Sequence, residues 1–367
     1  MKTMLMIVYN DIDQDARVQR AVSALSDSYD ITVLSYGYGP CDLNGIKVIK
    51  FNLDKKTNVQ KYFQYIFYVL KYLNKKEFDI FYAHDFYGAL PLLFNKIKKS
   101  AKKYVYDAHE LYIPVEGERF SKRDRFFYFF EKRAIKKANL VICAQEKRSE
   151  IMKEHFDLKI APTVIKNISY FPNASSSIPD AILKKCKEFF EIDAITIVYA
   201  GAISQERRID ALVDAVNELG LKYKLLIVGS GNHYELIKHK INLTCNHNIL
   251  MIPSVPYINL AFLLKKCDIG YIFYPNKGLN NIYCAPNKIY EYASLGLPMI
   301  SFYNPTIEEM YSGYRIGLTG NSLRKLIVQM SENILYYKAN LVRFIKDNQW
   351  TDEAASLKQS IDGLFGR

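Results

Sequence analysis

The residues best suited to chemistry stand in one short segment of the second half of the chain. Pro286 is typical of the first turn of a helix, and Gly296 followed by Pro298 is typical of a helix end. Lys288 and Glu291 are three residues apart, so they share one face of this predicted helix. Because the free N–H groups of a helix N-terminus bind phosphate, we predict a phosphate site there that Lys288 reinforces. Glu291 would lie one turn deeper and accept hydrogen bonds from a ribose diol; the alternative is a surface ion pair.

A second group of candidates follows an apolar, strand-like run that ends at Gly201. Glycine has no side chain, so a ligand can approach the backbone there. Arg207, in the following loop, could stabilise the negative charge on a diphosphate leaving group. Ordinary surface charge is the alternative for Arg207 and for its neighbour Arg208. Gly229 and Gly231 also follow a strand, where a tight strand–helix turn is the first interpretation and a nucleotide contact the second.

The first half of the chain carries its polar candidates where strand-like runs end. Ligands bind at the carboxyl ends of the strands in an open α/β sheet, so we expect these side chains to line a binding site. They are Asp15, Arg17, His84, Asp85, Asp107, His109 and Glu110. A structural role is the alternative for His109, although its acidic neighbours favour a functional one. For Asp15 and Arg17, the alternative is a helix cap beside a surface arginine.

Strand-like runs alternate with helical stretches along the chain. That spacing indicates parallel, doubly wound sheets. The alternation breaks at Pro172–Pro179, a polar stretch with the composition of a linker, and restarts near Ile195. The sequence therefore predicts two consecutive α/β domains, residues 1–172 and residues 173–348, and a helical C-terminal tail.

The segment around Lys288 and Glu291 closely resembles the donor-binding helix of GT-B glycosyltransferases of the family 4 type. Their pattern is Pro-x-Lys-x-x-Glu-Tyr, then a small residue, Gly-x-Pro and a strand. The resemblance covers nearly the whole chain and is strongest over 197–300. It implies two Rossmann-like, doubly wound parallel-sheet domains facing a cleft, with the tail 349–367 crossing back to the first. It also implies transfer of a sugar from a nucleotide-diphosphate sugar with retention of configuration, without a metal or other cofactor.

The resemblance also implies roles for individual residues. Glu291 would bind the nucleotide ribose, Arg207 takes the position of a family lysine, and His109 matches a first-domain histidine that reaches donor sugar and phosphate. The expected catalytic residues are His109, Arg207 and Lys288. The expected donor-binding residues are Gly201, Arg207, Gly229, Gly231, Tyr283, Asn287, Lys288 and Glu291. The expected acceptor or phosphate contacts are Asp15, Arg17, His84, Asp85 and Glu110.

Two positions depart from the family pattern. Tyr283 stands where the family often has a glutamate that contacts the donor sugar, so Tyr283 itself, Cys284, Asn281 or backbone amides would replace that contact. Ala202 stands where the family usually has an arginine. The missing diphosphate contact would then come from Lys288 or Arg17.

Composition limits the class of protein further. The chain has 367 residues, of which 49% are hydrophobic and 24% charged, as in ordinary globular proteins rather than disordered or fibrous ones. No apolar run approaches the ~20 residues that span a bilayer. The six cysteines are scattered, Cys245 among them, which is not the spacing of a metal site or a disulfide framework. We therefore expect a cytoplasmic protein with free thiols.

The net charge of +12 is concentrated in residues 55–137, which hold 19 basic and 9 acidic residues. Within them, basic side chains alternate with aromatic ones over 55–76 and 119–137, two stretches that we call the basic aromatic face. This mixture suits an anionic membrane surface. The alternatives are a solvated helical surface and a nucleic-acid site, which no nucleic-acid motif supports. We therefore expect a peripheral protein at the inner face of the cell membrane with a lipid-linked saccharide acceptor, as in bacterial cell-surface polysaccharide assembly.

Two other functions remain open at this point. A nucleotide-sugar 2-epimerase has the same architecture but needs several acid and base carboxylates, for which Asp107 and Glu110 are thin support. The second alternative is a paralogue without turnover that binds a membrane or a partner. The departures from the family pattern at Tyr283 and Ala202 favour this alternative. The sequence does not identify the base, the sugar, the acceptor or the linkage.

Overall fold

The computed structural model describes most of the chain. The described residues are 1–41, 43, 45–74, 76–93, 101–114, 121–171, 180–244 and 248–366. The predicted linker at 172–179 lies outside the described residues, as do Cys245 and the first two residues of the stretch 119–137.

The chain divides into two compact units. Unit 1 consists of Met1–Asn167 together with Trp350–Arg367, and unit 2 consists of Ile168–Gln349. Each unit is built on its own parallel sheet, with helices in the connections between strands. This architecture confirms the predicted fold class.

Unit 1 contains a seven-stranded sheet in the order β3-β2-β1-β4-β5-β6-β7, and all its neighbouring strands run parallel. Its elements are β1 (Lys2–Val8), α1 (Ala16–Leu25), β2 (Tyr29–Tyr36), β3 (Lys47–Phe51), α2 (Asn58–Leu73), β4 (Phe78–His84), α3 (Asp85–Ala89), β5 (Ala101–Asp107), α4 (Lys122–Lys137), β6 (Leu140–Cys143), α5 (Glu146–Phe156) and β7 (Thr163–Val164). The strand order reverses between β1 and β4, which is where an open α/β sheet forms its ligand crevice.

Unit 2 repeats this arrangement with six parallel strands in the order β10-β9-β8-β11-β12-β13. Its elements are α6 (Asp180–Glu191), β8 (Ile195–Ala202), α7 (Ile209–Leu219), β9 (Tyr223–Ser230), α8 (Tyr234–Leu243), β10 (Ile249–Ile252), α9 (Tyr257–Leu264), β11 (Ile269–Tyr271), α10 (Leu279–Ile282), α11 (Asn287–Ser294), β12 (Met299–Phe302), α12 (Pro305–Tyr314), β13 (Gly317–Gly320), α13 (Leu323–Glu332) and α14 (Ile334–Asp347). The last helix, α15 (Trp350–Asp362), belongs to unit 1.

The central strands are buried on both faces, as parallel strands covered by helices must be. In unit 1, Met4 and Met6 of β1 share a core with Val18 of α1 and with Leu357 and Ile361 of α15. The C-terminal helix is therefore part of the unit 1 core rather than an appendage. In unit 2, β8 and β9 form an equivalent core with α7 and α13.

Two helices of the basic aromatic face begin at local capping signals. The Thr57 side chain accepts a hydrogen bond from the Gln60 backbone N–H at the start of α2. At the start of α4, the Ser121 side chain accepts one from the Asp124 backbone N–H. In both helices the side chain of the later residue also bonds back to the cap, so each forms a capping box. These contacts explain why α2 begins at Asn58 and α4 at Lys122.

The strands β7 and β13 and the helices α6, α10 and α12 were not predicted from the sequence. The strand β7 is only two residues long, and β13 contains two glycines, so neither has a clear strand pattern. The helix α12 begins because Asn304 accepts hydrogen bonds from the backbone of Thr306 and Ile307. Among the described residues, no helix is both long and apolar enough to cross a bilayer.

Candidate functional site

The helix α11 presents its first turn without a capping side chain, because its N-cap residue is Pro286. The first backbone N–H groups of a helix have no acceptor within the helix itself, so they are available to a ligand. Asn287 is the first residue of this turn, and Lys288 is the second. The helix ends at Ser294, and Gly296 lies two residues beyond with a φ of +73°. The local signals in the sequence therefore give the helix bounds correctly.

Glu291 lies on this helix with only 6% of its surface exposed. Its Oε2 lies 3.6 Å from Nζ of Lys288, and its Oε1 accepts a hydrogen bond of 3.3 Å from the hydroxyl of Tyr257. A carboxylate can accept about four hydrogen bonds, so these two partners leave capacity for a diol. The Tyr257 contact orients the Glu291 side chain, and no sequence signal pointed to it.

Gly201 lies at the end of β8 with a φ of +149°, a conformation that side-chain-bearing residues rarely adopt. A Cβ placed there would lie 3.0 Å from Cε and 3.6 Å from Nζ of Lys288. The Lys288 side chain therefore runs across the backbone of Gly201. This brings the two predicted donor segments together at the carboxyl end of β8, with a cation on the surface that they share.

Arg207 is held by two contacts near the end of the neighbouring strand, β11. Its Nη1 donates a hydrogen bond of 2.7 Å to the carbonyl oxygen of Phe273, and its guanidinium lies 4.2 Å from the centre of the Tyr274 ring. Stacking on an aromatic ring fixes the plane of the guanidinium. The adjacent Arg208 is exposed, has a φ of +49° and lies over the ring of Phe302.

The loop glycines of β9 have a packing explanation. A Cβ at Gly229 would lie 2.0 Å from the carbonyl oxygen of Gly201, and one at Gly231 would lie 2.2 Å from that of Ile203. Only glycine permits these two loops to touch. The tight-turn interpretation therefore accounts for both residues, and a nucleotide contact stays a prediction.

The three candidates to replace the family glutamate differ in accessibility. Cys284 is buried, with Sγ 3.9 Å from Oδ1 of Asn304, so its thiol faces the interior. The Asn281 side chain donates a hydrogen bond to the carbonyl oxygen of Lys277. Tyr283 is half-buried and follows α10 directly. Burial therefore argues against Cys284 and leaves the other two as candidates.

In unit 1, Asp107 is the centre of a buried polar cluster at the end of β5. Arg17 binds its carboxylate with two nitrogens, at 2.6 Å to Oδ1 and 3.3 Å to Oδ2. The Tyr82 hydroxyl donates a hydrogen bond of 3.1 Å to Oδ2. His84 Nδ1 lies 3.6 Å and His109 Nε2 3.9 Å from the same oxygen. In the structure Asp107 joins three elements, because its partners lie on α1, on β4 and after β5; no sequence signal pointed to this structural role.

Arg17 was predicted to contact a ligand, but its side chain already makes hydrogen bonds within the protein. Besides Asp107, its Nη1 donates to the carbonyl oxygen of Ile165 and to Oδ1 of Asn167, both at 3.3 Å. Asp15 accepts a hydrogen bond of 3.2 Å from the Val18 backbone N–H and so caps α1. The capping alternative is therefore observed for Asp15, and Arg17 is a buried ion-pair partner rather than a surface arginine.

Burial and charge shift the titration of this cluster. Burial alone would raise the pKa of Asp107, but the Arg17 charge holds that pKa well below its usual range. Burial lowers the pKa of His109 to about 4, against the pull of Asp107 in the other direction. The imidazole is therefore neutral near pH 7. Burial also raises the pKa of Asp85 to about 7.

Asp85 combines this raised pKa with an unusual backbone. Its φ is +56°, and its Oδ1 is buried with no hydrogen-bond partner. The carboxyls of Glu110, Asp107 and Asp15 add repulsion that raises the pKa further. Asp85 and Glu110 therefore lie close enough for their charges to interact, and the acceptor or phosphate contacts expected of both stay predictions.

One group among the described residues has the composition of a metal site. The ligand atoms of His84, Asp107 and His109 all lie within 4.8 Å of one another. However, Arg17 already neutralises Asp107 at 2.6 Å and would repel a cation. A metal ion there would have to displace this ion pair, so the cluster is better suited to position the two histidines than to bind a cation.

Comparisons with known proteins identify the family and the fold. The family model for Glycosyltransferase Family 4 matches residues 16–168, and that for Glycosyl transferases group 1 matches residues 194–330. An uncharacterized glycosyltransferase, MJ1069 of Methanocaldococcus jannaschii, is 25% identical over 323 residues, covering 80% of this chain and 77% of that protein.

Solved structures share the fold at low sequence identity. WaaG, a glycosyltransferase involved in lipopolysaccharide biosynthesis, superposes with a TM-score of 0.71 at 15% identity, covering 99% of this chain and 100% of its own. Anabaena Alr3699/HepE, in complex with UDP-glucose, gives the same TM-score, identity and coverage.

The fold and the two matching family models together define the class: this is a GT-B glycosyltransferase. The chain belongs to the glycosyltransferases that combine the family 4 domain with the group 1 domain, and the two matched ranges cover most of it.

Proposed function

We propose that the protein transfers a sugar from a uridine-diphosphate sugar to a lipid-linked saccharide, with retention of configuration and without a metal ion. The arrangement of residues at α11 is the observation that supports the proposed binding of the sugar donor. An uncapped helix N-terminus, a lysine lying across Gly201 and a buried glutamate oriented by Tyr257 occur together in unit 2. The choice of uridine is supported by HepE, whose structure contains UDP-glucose.

Each part of this arrangement suits one part of the donor. The N–H groups of the first turn of α11 and the Lys288 ammonium favour the diphosphate. Glu291 would accept two hydrogen bonds from the ribose hydroxyls, since its carboxylate is buried and held in one orientation. Arg207, fixed by Phe273 and Tyr274, would stabilise the charge that develops on the leaving diphosphate.

The proposed metal independence follows from these cations. Lys288 and Arg207 supply the positive charge that a divalent ion would otherwise supply to the leaving group. A leaving-group oxygen would take the proton of the acceptor hydroxyl on the same face of the sugar. That front-side attack retains the configuration at the anomeric carbon.

The proposed lipid-linked acceptor is supported by the surface of unit 1. On α2, Phe63 and Phe67 are 62% and 61% exposed, and on α4, Phe126 and Phe129 are 49% and 50% exposed. Single exposed apolar residues are normal, whereas groups of them on neighbouring helices mark interaction surfaces. The sequence of α4 has seven basic and two acidic residues, and that of α2 has two basic and no acidic residues. Together these features suit the inner, anionic face of a membrane.

A nucleotide screen followed by product analysis tests this function. Calorimetry with the diphosphates of uridine, guanosine and adenosine should show preferential binding of the uridine form. Incubation of the preferred nucleotide sugar with a membrane lipid extract should then give a glycosylated lipid, with the anomeric configuration read by NMR. An epimerised nucleotide sugar formed without any acceptor would instead establish a 2-epimerase. If none of the three nucleotides binds, the result would instead support the alternative of a paralogue without catalytic turnover.

A further inference from the structure

Unit 1 contains a large groove between α2 and α4, at the carboxyl edge of its sheet. The groove has a volume of about 750 Å³, within the range of small-molecule sites in proteins. Eight of its fourteen lining residues are aromatic. We call it the aromatic groove. It is separate from the Asp107 cluster, none of whose members lines it.

The inner wall of the groove is a rigid cluster of tyrosine rings. Tyr9 contacts Tyr36, Tyr62 and Tyr87, with ring centres 5.0, 4.8 and 5.4 Å apart, and Tyr62 contacts Tyr87 at 5.1 Å. The Tyr62 hydroxyl is used within the wall, since it donates a hydrogen bond of 3.0 Å to the carbonyl oxygen of Tyr87. Burial raises the pKa of Tyr9 to about 12, so this hydroxyl stays uncharged. The wall therefore offers mainly ring faces and edges.

The outer rim of the groove is apolar and open to solvent. Phe63 of α2 and Phe126 of α4 line opposite sides of it and are each about half or more exposed. Apart from the tyrosines, the polar side chains in the lining are Asn58 and Lys61. Most of the lining is therefore aromatic or aliphatic, and a hydrocarbon chain can lie against it without needing a hydrogen-bond partner.

We propose that the aromatic groove binds the hydrocarbon chain of the lipid phosphate that carries the acceptor saccharide. This inference rests on the proposed lipid-linked acceptor and names the part of unit 1 that would hold it. Charge complementarity supports the choice of a lipid phosphate. Lys61 lies in the lining itself, and α4, which supplies Phe126 and Phe127 to the lining, has seven basic and two acidic residues in its sequence. The chain would lie against the rings, with its phosphate near Lys61.

Two matched pairs of phenylalanines make a sharp test possible. Phe63 and Phe126 line the groove, whereas Phe67 and Phe129, one turn further along the same two helices, do not. The pairs have nearly equal exposure, so the double variants Phe63→Ala/Phe126→Ala and Phe67→Ala/Phe129→Ala remove similar exposed aromatic area. Neither pair is in the core, so both variants should fold.

The probe is farnesyl monophosphate below its micellar concentration, titrated into the full chain by calorimetry, with inorganic phosphate as the chain-free comparison. We expect the unaltered protein to bind the probe, and the groove pair to weaken that binding by about tenfold or more. The control pair should change it by less than about twofold, and inorganic phosphate alone should bind far more weakly. Lys61→Ser should weaken binding of the probe but not of farnesol.

Several results would overturn the inference. They are no binding of the probe at any concentration up to its micellar concentration, equal losses from the two pairs, or equal affinity for inorganic phosphate. Equal losses would mean that the phenylalanines act only as a general membrane contact. UDP binding, measured on the same variants, separates this inference from the proposed function. A protein that turns over a nucleotide sugar but ignores the probe contradicts the groove assignment alone, whereas one that binds the probe but no nucleotide contradicts the proposed transferase reaction.

Discussion

Lys288 crosses the backbone of Gly201 so closely that a Cβ at position 201 would lie 3.0 Å from its Cε. The two residues are 87 positions apart in the sequence and belong to different strand–helix connections. Their contact places an ammonium group at the carboxyl end of β8, beside the uncapped start of α11. The geometry of the proposed diphosphate site therefore depends on the absence of a side chain at position 201.

We expect Gly201→Ala to weaken UDP binding by about tenfold, because the new methyl group displaces the Lys288 side chain. The substitution should also lower stability by roughly 1–3 kcal/mol, since alanine is strained at a φ of +149°. Gly220→Ala is the matched control, with a φ of +73° and no atom within 4 Å of the added Cβ. It should lose stability but not affinity. Calorimetry and thermal denaturation of both variants measure the two effects, and equal loss of affinity would rule out the steric argument.

Glu291→Gln should weaken UDP binding by about tenfold or more. The reason is that a hydrogen bond to a charged acceptor contributes roughly 1.5–3 kcal/mol, and a neutral amide contributes less. Stability should change little, because the amide keeps the shape of the side chain. Glu218→Gln, which alters an exposed ion pair with Arg324, is the control for charge removal in the same unit. Unchanged affinity of the Glu291 variant by calorimetry would remove the ribose assignment.

Arg207→Ala should reduce kcat far more than it reduces the affinity for uridine monophosphate. Charge builds on the distal phosphate only as the sugar leaves, so the arginine acts mainly in the transition state. The neighbouring Arg208→Ala removes the same charge from an exposed position over Phe302 and should leave kcat within about twofold. Steady-state kinetics of the two variants decide the question. Turnover that survives in the Arg207 variant would show that it does not contact the leaving group.

The sequence predicted those features that depend on local signals. Proline and glycine mark both ends of α11, and the three-residue spacing alone places Lys288 beside Glu291. Long apolar runs such as β8 and β9 were likewise predicted correctly. Short strands without such a run, like β7, were not.

The features that were not predicted depend on contacts between distant elements. Asp107 became the centre of a cluster only because the sheet register places it beside His84 and because α1 brings Arg17 to it. The aromatic groove likewise combines residues from the ends of several strands with α2 and α4. The sequence marks the aromatic residues of 55–76 and 119–137 as part of the basic aromatic face, but no local spacing shows that they form the walls of one cavity with the tyrosines at the strand ends.

Asp85→Asn should stabilise the protein at pH 8 and leave its stability near pH 4 unchanged. The folded-state pKa of Asp85 is raised to about 7, whereas an unfolded aspartate titrates near ~3.9. The unfolded chain therefore loses this proton first, and stability decreases as the pH rises from about 4 to about 7. Asparagine carries no charge and tolerates a φ of +56°, so it should remove the decrease, which is roughly 4 kcal/mol for a pKa raised from ~3.9 to about 7.

Asp157→Asn is the control for this backbone effect, because Asp157 has a φ of +53° but is exposed. It should shift stability equally at both pH values. Urea denaturation of the two variants and the unaltered protein at pH 4 and pH 8 gives the comparison. A pH-independent gain in the Asp85 variant would show that the backbone, rather than the buried charge, is responsible.

Binding to anionic vesicles should weaken strongly, but not vanish, as salt is raised. Each exposed basic residue near an anionic surface contributes about 1 kcal/mol that salt screens, while inserted aromatic rings add a part that salt does not affect. Replacing Lys71, Arg125 and Lys136 with serine should therefore reduce sedimentation with anionic liposomes and leave UDP binding intact. Replacing the exposed Lys184, Lys185 and Lys187 of unit 2 removes the same charge and should have little effect. Equal losses from the two triple variants would mean that only the net charge of +12 matters. A protein that stays in the supernatant at low salt would show that the basic aromatic face is a solvated surface.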